Sequence, residues 1–362
     1  MAGNPSILET TFRHSWLKRC VRLFGFITDD ANVTNPDMDA FVDCLRQEGT
    51  VKNASVRLTP LTGGVSSEIY RVDDGQDVFV VKRALAKLKV SADWHADTGR
   101  NAFEQAYIRY VERICPSWVP RIRKPQSNAG YFAMEYLDGF SNWKADMLGA
   151  VFAPQMAAAA GEILGRIHAV SWHDPEVARD FDAIENFDQL RIDPYLRATA
   201  AKHPTLAEAL LAEADRLRQS RQCLMHGDYS PKNMLHRDGR FVILDCEVAC
   251  HGDAAFDLAF LLNHLMLKAL YHAPKKTDLF VLFNSAQQAY VQALGAQAPG
   301  VLQATAKLLP MLLLARVDGK SPVEYLNAEK QERVRQFARP FILNRPSNLE
   351  ALALAWYNDV NP

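Results

Sequence analysis

The feature that most constrains this chain runs from His226 to Glu247. A polar loop, His226-Gly-Asp-Tyr-Ser-Pro-Lys-Asn233, leads into two short apolar stretches separated by Asp238-Gly239 and then into Asp245-Cys-Glu247. Asp-Gly between β-favouring residues is a strong signal for a two-residue hairpin turn, because both positions tolerate positive φ. With strands over 234–237 and 240–244, Arg237 pairs with Arg240, and counting back sets Asn233 opposite Leu244. The Asn233 amide and the Asp245 carboxylate then emerge at one end of the hairpin, where two hard oxygen ligands meet. Asp228 precedes Asn233 by five positions on the same loop. An acidic surface turn would explain any one of these pieces but not their common spacing.

Composition narrows the reading only a little. The chain has 362 residues, enough for about two domains of roughly 150 residues. With 41 basic and 42 acidic residues and a formal net charge of -1, no global field draws it to nucleic acid or to an anionic membrane. Residues 1–26 mix Arg13, His14, Lys18, Arg19 and Arg22 among apolar ones and read as an amphipathic helix, not a secretory signal. The most apolar run, 256–270, is broken by Asn263, His264 and Lys268, short of the roughly 18 apolar residues of a membrane span. Cys20, Cys44, Cys115, Cys223, Cys246 and Cys250 are too few and scattered for a disulfide framework and read as reduced and buried. Cys246 and Cys250 lack the further ligands a zinc site needs. The expectation is a cytoplasmic protein, monomer or homodimer, with no nucleic-acid or membrane partner.

Along the chain, residues 1–54 read as a helical extension with a polar break at 29–37 and a helix start after Thr34-Asn-Pro-Asp. Residues 55–138 form a strand-rich unit: 56–61, 67–72, 77–84 and 130–137 are short β-favouring runs, as in an antiparallel sheet. One helix interrupts them over 100–115, where Phe103, Tyr107, Tyr110, Val111 and Ile114 form an apolar stripe. From about 139 to 362 the sequence turns helical, with helices expected over 154–170, 205–221, 256–271, 277–294 and 301–315. Gly161 and Gly165 on the first of these allow close helix packing, and the neighbouring His168 reads as a core histidine. The fold class is thus α+β, a small antiparallel-sheet lobe and a larger helical lobe. Clefts between such units are where small ligands usually bind.

The sheet unit carries a second cluster. Leu61-Thr-Gly-Gly-Val-Ser-Ser67 sets Gly63, Gly64, Ser66 and Ser67 in a loop between strands, with backbone amides and hydroxyls suited to phosphate. Lys82 ends the apolar run Val80-Val81-Lys82, and Glu104, on the margin of the helical stripe, faces back toward the sheet as its best partner. The backbone of Glu135 and Leu137, where the two lobes join, suits an adenine edge. The Walker pattern is absent: Gly319-Lys320-Ser321 has Leu314 where the first glycine belongs.

His226-Gly-Asp228-x-x-x-x-Asn233 with the later Asp245 resembles the kinase catalytic loop in the form found in aminoglycoside phosphotransferases and choline kinases, a protein-kinase-like two-lobe fold. The resemblance covers about 58–325. It implies ATP and Mg2+ as cofactors and a small-molecule hydroxyl as substrate. By the same resemblance Asp228 orients the alcohol and accepts its proton, Lys82 held by Glu104 contacts the phosphates, Asn233 and Asp245 hold magnesium, and Asp257 braces the loop with His226 in a structural role. A protein kinase is disfavoured because the apolar helix beginning with Asp257 follows Asp245 after only eleven residues, leaving no peptide platform. Locally the run from Lys82 through Trp94 and Arg100 to Glu104 is similar to 5-methylthioribose kinase, and Asp245-Cys-Glu247 matches its metal motif. That similarity implies Glu247 as a further metal ligand, Trp94 as a substrate lid and Arg316 as a substrate contact. Where those enzymes carry an Arg-Arg pair, this chain reads Ala315-Arg316. A catalytically silent nucleotide-binding protein is the alternative; silent kinases usually lose an ionisable group, and all are present here.

Overall fold

The structure, a computed structural model, describes residues 36–53, 55–61, 67–85, 99–125, 127 and 130–360. Strands β1 (Arg57–Pro60), β2 (Ser67–Asp73), β3 (Val78–Ala84), β4 (Ile122–Lys124) and β5 (Tyr131–Glu135) form one antiparallel sheet in the order β1-β2-β3-β5-β4. Side chains alternate between faces along a strand, and both faces of the central strands are covered. Phe79, Val81, Tyr131 and Ala133 pack against Phe41 and Leu45 of helix α1 (Pro36–Gln47). Val80, Phe132 and Met134 join the main core with Tyr107, Ile108 and Val111 of helix α2 (Arg100–Ile114). Lys82 shares the parity of Val80 and therefore faces α2. Helix α1, for which the sequence offered no role, is the cover of the opposite face.

Beyond the sheet, helices α3 (Trp143–Leu148), α4 (Pro154–Val170), α5 (Ala207–Gln219), α6 (Ala254–Tyr271), α7 (Lys276–Leu294), α8 (Ala298–Asp318), α9 (Ala328–Asn344) and α10 (Leu349–Asp359) build the larger part. Three short ladders accompany them: β6 (Ser141–Asn142) pairs with β8 (Met234–Arg237), β8 with β9 (Arg240–Ile243), and β7 (Cys223–Met225) with β10 (Cys250–Gly252). The arrangement is the small sheet and larger helical part read from the sequence.

Helix α6 is the axis of this region. Every residue from Ala254 to Leu270 is buried. By length and composition it is apolar enough to cross a membrane, as is the stretch Ala273–Asp318, but 94% of α6 lies buried inside the protein, so its hydropathy marks a core helix. Helices α4 and α7 cross closely at Gly161 and Gly165. A Cβ on Gly161 would lie 2.0 Å from the Ala286 carbonyl oxygen, and one on Gly165 would lie 2.7 Å from that of Tyr290.

Helices α3, α9 and α10 and a π-helical segment are among the elements outside the expected helices. Helix α9 is charge-rich and buries only Val334, Phe337, Ala338 and Ile342, too sparse a stripe to stand out. Residues Asp188–Arg197 form a π-helical segment containing Pro194, whose wider turn leaves no 3.6-residue periodicity to detect. Cys223, Cys246 and Cys250 are buried thiols as expected, whereas Cys44 and Cys115 are only half-buried.

Candidate active site

The β8–β9 hairpin aligns the first group of side chains. Asp238 and Gly239 both adopt positive φ, 49° and 80°, the two-residue turn suited to strand twist. Arg237 pairs with Arg240, and the Leu244 N–H donates to the Asn233 carbonyl at 2.9 Å. The next residue, Asp245, is one of five non-glycine residues described with positive φ (61°), a strained backbone that turns its carboxylate out of the hairpin end.

The loop before β8 is tied to that end by hydrogen bonds. Asp257, in the first turn of α6, accepts the N–H of His226 at 2.6 Å and that of Gly227 at 2.9 Å. His168 supports Asp257 from α4, its Nε2 lying 3.4 Å from Oδ2 and its Nδ1 2.9 Å from the Tyr290 hydroxyl. His226 lies with Nε2 3.1 Å from the Leu244 carbonyl, while its Nδ1 accepts the Asp228 N–H at 3.1 Å. These partners assign the proton to Nε2, and burial lowers the imidazole pKa, keeping it neutral. Gly227 has φ 75°, and a Cβ there would meet the Val248 carbonyl oxygen at 2.6 Å. The loop therefore needs glycine at this position for both its backbone conformation and its close approach.

Lys82 reaches the same end from the sheet. Its Nζ lies 2.7 Å from Glu104 Oε2 and 2.6 Å from Asp245 Oδ1, with Lys82 and Glu104 each 1% exposed. Burial alone would lower the ammonium pKa, but Asp245, Glu104 and Glu247 outweigh it and hold it well above the ordinary lysine value. Burial raises the Glu104 carboxyl against the pull of Lys82. Burial also works against ionised Asp245, yet Lys82 and Lys232 hold its carboxyl below the ordinary range. Ligand oxygens of Glu104, Asp245 and Glu247 all lie within 4.8 Å of one another. Beside them, Asn233 donates its amide N–H to the Asp228 carbonyl at 3.0 Å, leaving its carbonyl oxygen as the atom able to face a cation.

Asp228 lies between two cations that the sequence did not single out. Arg191 Nη2 is 3.1 Å and Lys232 Nζ 2.8 Å from its Oδ2. Burial raises this carboxyl, and Lys232 and Arg191 more than reverse the rise, so it is ionised throughout the neutral range. Arg191 and Tyr195 come from the π-helical segment. They line one cavity with Asp228, Lys232, Asp245, Glu247, and with Phe260, His264 and Lys268 of α6, and Arg316 of α8. The Asp-x-x-x-Lys spacing of Asp228 and Lys232 was the available signal for Lys232; Arg191 had none.

Other expected residues fall in different places. Ser67 is buried, and its hydroxyl donates to Glu247 Oε2 at 3.1 Å. The same oxygen accepts from Arg100 Nε at 3.1 Å, so Glu247 lies in a buried ion pair at the cavity wall. Glu135 ends β5 with its N–H donated to the Arg121 carbonyl and its carboxylate accepting from Arg240 at 2.8 Å; Leu137, two residues on, is half-buried. Arg316 donates from Nη1 to the Tyr195 hydroxyl at 3.1 Å, to Ser321 Oγ at 2.9 Å and to the Ser321 carbonyl. Gly63, Gly64, Ser66 and Trp94 lie outside the described residues.

Comparison with known proteins follows the same lines. A model of the phosphotransferase enzyme family (APH) matches residues 57–273. A methylthioribose kinase from Erwinia tasmaniensis is 22% identical over 256 residues, 62% of this chain and 64% of that enzyme. One from Cronobacter sakazakii is 23% identical over 227 residues, 55% of this chain and 57% of that enzyme. The chain thus spans less than two thirds of the length of these curated relatives. Among solved structures, amicoumacin kinase hAmiN in complex with AMP-PNP, Ca2+ and Ami superposes with a TM-score of 0.55 at 14% identity, covering 87% of this chain and 98% of that one. A microcompartment-associated aminopropanol kinase gives 0.53 at 14% identity, with 85% and 99% covered. At such identities the likeness is one of fold.

Proposed function

The chain belongs to the phosphotransferase enzyme family, and from that premise we propose that it transfers the γ-phosphoryl group of ATP to a hydroxyl of a small molecule. The observation that carries this reading is the convergence of Lys82, Asp228, Asn233 and Asp245, contributed by a strand, a loop and the end of a hairpin, on one cavity edge.

Asp228 takes the acceptor end. Its ionised carboxylate accepts a hydrogen bond from the alcohol and then its proton, as the alcohol oxygen forms its bond to the γ-phosphorus and the bond to the β,γ-bridging oxygen breaks, that electron pair leaving with ADP. His226 and Asp257 hold the carboxylate in position through the loop backbone. Arg191 and Lys232 keep it ionised, and Lys232 also offers an ammonium toward the transferred group. Lys82, fixed by Glu104, neutralises the phosphates that do not react. Residues 55–138 serve the nucleotide, with Gly63, Gly64, Ser66, Ser67 and the Glu135–Leu137 backbone as its contacts, and residues 139–362 serve the acceptor.

The donor set fits a divalent cation of the hard, oxygen-preferring kind. Asp245, which gives only Oδ1 to Lys82, and the Asn233 carbonyl would hold Mg2+, with Glu247 beside them in its pair with Arg100. When bound, such an ion neutralises charge on the β- and γ-phosphates.

The curated relatives favour a sugar-like polyol as acceptor, with Arg316 on its side of the site and the lid role expected for Trp94 kept as part of the proposal. A coupled assay of ADP release over sugars, amino alcohols and aminoglycosides, run with and without Mg2+, tests the reading. Acceptor-dependent ADP formation that requires the cation is expected, and nucleotide turnover indifferent to every acceptor would overturn it.

A further inference from the structure

Helix α6 carries Phe260, His264 and Lys268 at intervals of four, and all three line the cavity that holds Asp228. Eight residues of helix span about 12 Å, so Lys268 lies roughly a sugar length beyond Phe260, whose ring sits 5.9 Å beneath the Arg191 guanidinium that pairs with Asp228. The cavity wall supplies an unequal set of charges. Asp228 pairs with Arg191 and Lys232, Asp245 with Lys82, Glu247 with Arg100, and Glu324 with Lys144 at 2.5 Å. Two cations remain.

Lys268 is 1% exposed. Among the described residues no carboxylate lies within ion-pairing distance of its ammonium, which sits 5.1 Å from the centre of the Tyr325 ring. The hydrogen bonds of Arg316 among the described residues go to neutral oxygens, of Tyr195 and Ser321. Beside them, Arg316 Nε and the Tyr325 hydroxyl are buried with no protein acceptor among the described residues. A buried cation and buried donors left without partners are costly in a folded chain, and here they share one end of one cavity. Burial, with Lys144 and Arg316 adding repulsion against the attraction of Glu324, lowers the Lys268 pKa to about 7, a group that an arriving negative charge would return to its charged form.

We infer that the acceptor alcohol carries an anionic group, a carboxylate or a phosphate, held by Lys268, Arg316 and Tyr325 at the α6 end of the cavity while its hydroxyl lies at Asp228. The inference rests on the phosphotransfer reading above and narrows its substrate class. An acceptor with an ammonium at that end would meet two cations and no free carboxylate, so an amino alcohol or an aminoglycoside is disfavoured.

Phosphoryl transfer is measured with D-gluconate, D-glucitol and 1-amino-1-deoxy-D-glucitol, which differ in charge at one end, and with ribose 5-phosphate against ribose, which separates phosphate from carboxylate as the recognised group. An anionic member is expected to exceed its neutral counterpart by roughly ten-fold or more in kcat/KM, and Lys268→Met to remove the preference. Preference for the neutral or aminated compounds would overturn the inference while leaving the kinase reading intact. A second measurement needs no turnover: thermal unfolding of the full chain with AMP-PNP and Mg2+, in sulfate and in chloride at matched ionic strength. The wild type should gain more from sulfate than Lys268→Met does, the comparison cancelling the general salt effect, and Tyr325→Phe should lose part of that gain. Equal gains in wild type and Lys268→Met would overturn the anion receptor. A Lys268-dependent gain without ADP formation on any acceptor would instead support the receptor and count against the kinase reading.

Discussion

Around the hairpin, Lys82 lies between Glu104 and Asp245, Glu247 meets Arg100, and Asp228 meets Arg191 and Lys232, whereas among the described residues Lys268, two turns along α6, and Arg316 of α8 have no carboxylate within ion-pairing distance. Both ends are buried and both line the same cavity. In the proposed reaction the matched end holds groups whose positions must be fixed before transfer, and mutual pairing fixes them. The unmatched end stores unmet donors and charge whose partner arrives with a ligand, a state that lowers the stability of the free protein.

Breaking the matched end should have the largest effect on stability. Lys82→Met leaves Glu104 and Asp245 as buried carboxylates without their cation, and about 3–5 kcal/mol of unfolding free energy should be lost, read from urea denaturation. A loss well under 1 kcal/mol would mean that pairing at this end does not fix its groups. Asp257→Asn removes the charged acceptor of two loop N–H groups. Hydrogen bonds to charged groups contribute about 1.5–3 kcal/mol each, so a loss near the lower part of that range is expected, together with faster amide exchange at His226 and Gly227.

The unmatched end should respond in the opposite sense. Lys268 titrates at about 7 in the folded chain against 10.5 ordinarily. Between these values the unfolded chain binds more protons than the folded one, so folding stability attributable to this residue rises with pH, by at most about 1.4 kcal/mol per pH unit. Lys268→Met should therefore be more stable than wild type near pH 7, and the gap should narrow as pH rises toward 10. A gap that widens would show that Lys268 has a partner when the cavity is free. The neighbouring titratable groups Lys144, Arg316, His264, Glu324 and Tyr325 are common to both proteins, so the difference isolates Lys268. The smallest effect belongs to neither end: Glu162→Ala, at the exposed i,i+4 pair with Arg166, should change stability by no more than about 0.5 kcal/mol.

The same contrast explains what the sequence disclosed. The hairpin register, the loop with its Asp and Asn, and the lysine at the end of an apolar strand are local patterns, each set by turn chemistry or by a period of two, and the structure brings Lys82, Glu104, Asp228, Asn233 and Asp245 to one place. The partners of Asp228 were only partly visible. Lys232 was in reach of a spacing argument, but Arg191 sits on a π-helical turn whose side chains follow no standard period, and its approach depends on packing against α6. Lys268 interrupts an apolar run and so read as evidence against a membrane helix; that it is buried with no carboxylate within ion-pairing distance among the described residues depends on what α8 and the segment after it place opposite. Helix α1 was legible as a helix but not as the cover of the sheet, since nothing local says which face it meets. For Glu247 and Ser67 the sequence suggested ligand roles; the structure adds that Ser67 donates to Glu247, which also pairs with Arg100, contacts that no local pattern announces.

In the proposed reaction Asp228 activates an acceptor hydroxyl for phosphoryl transfer. Asp228→Asn, which keeps the side-chain shape and its place between Arg191 and Lys232, tests it most directly when steady-state turnover and AMP-PNP affinity are measured on the same preparation. Turnover should fall by about 10²–10⁴-fold with nucleotide affinity nearly unchanged; near-normal turnover in the variant would contradict the account.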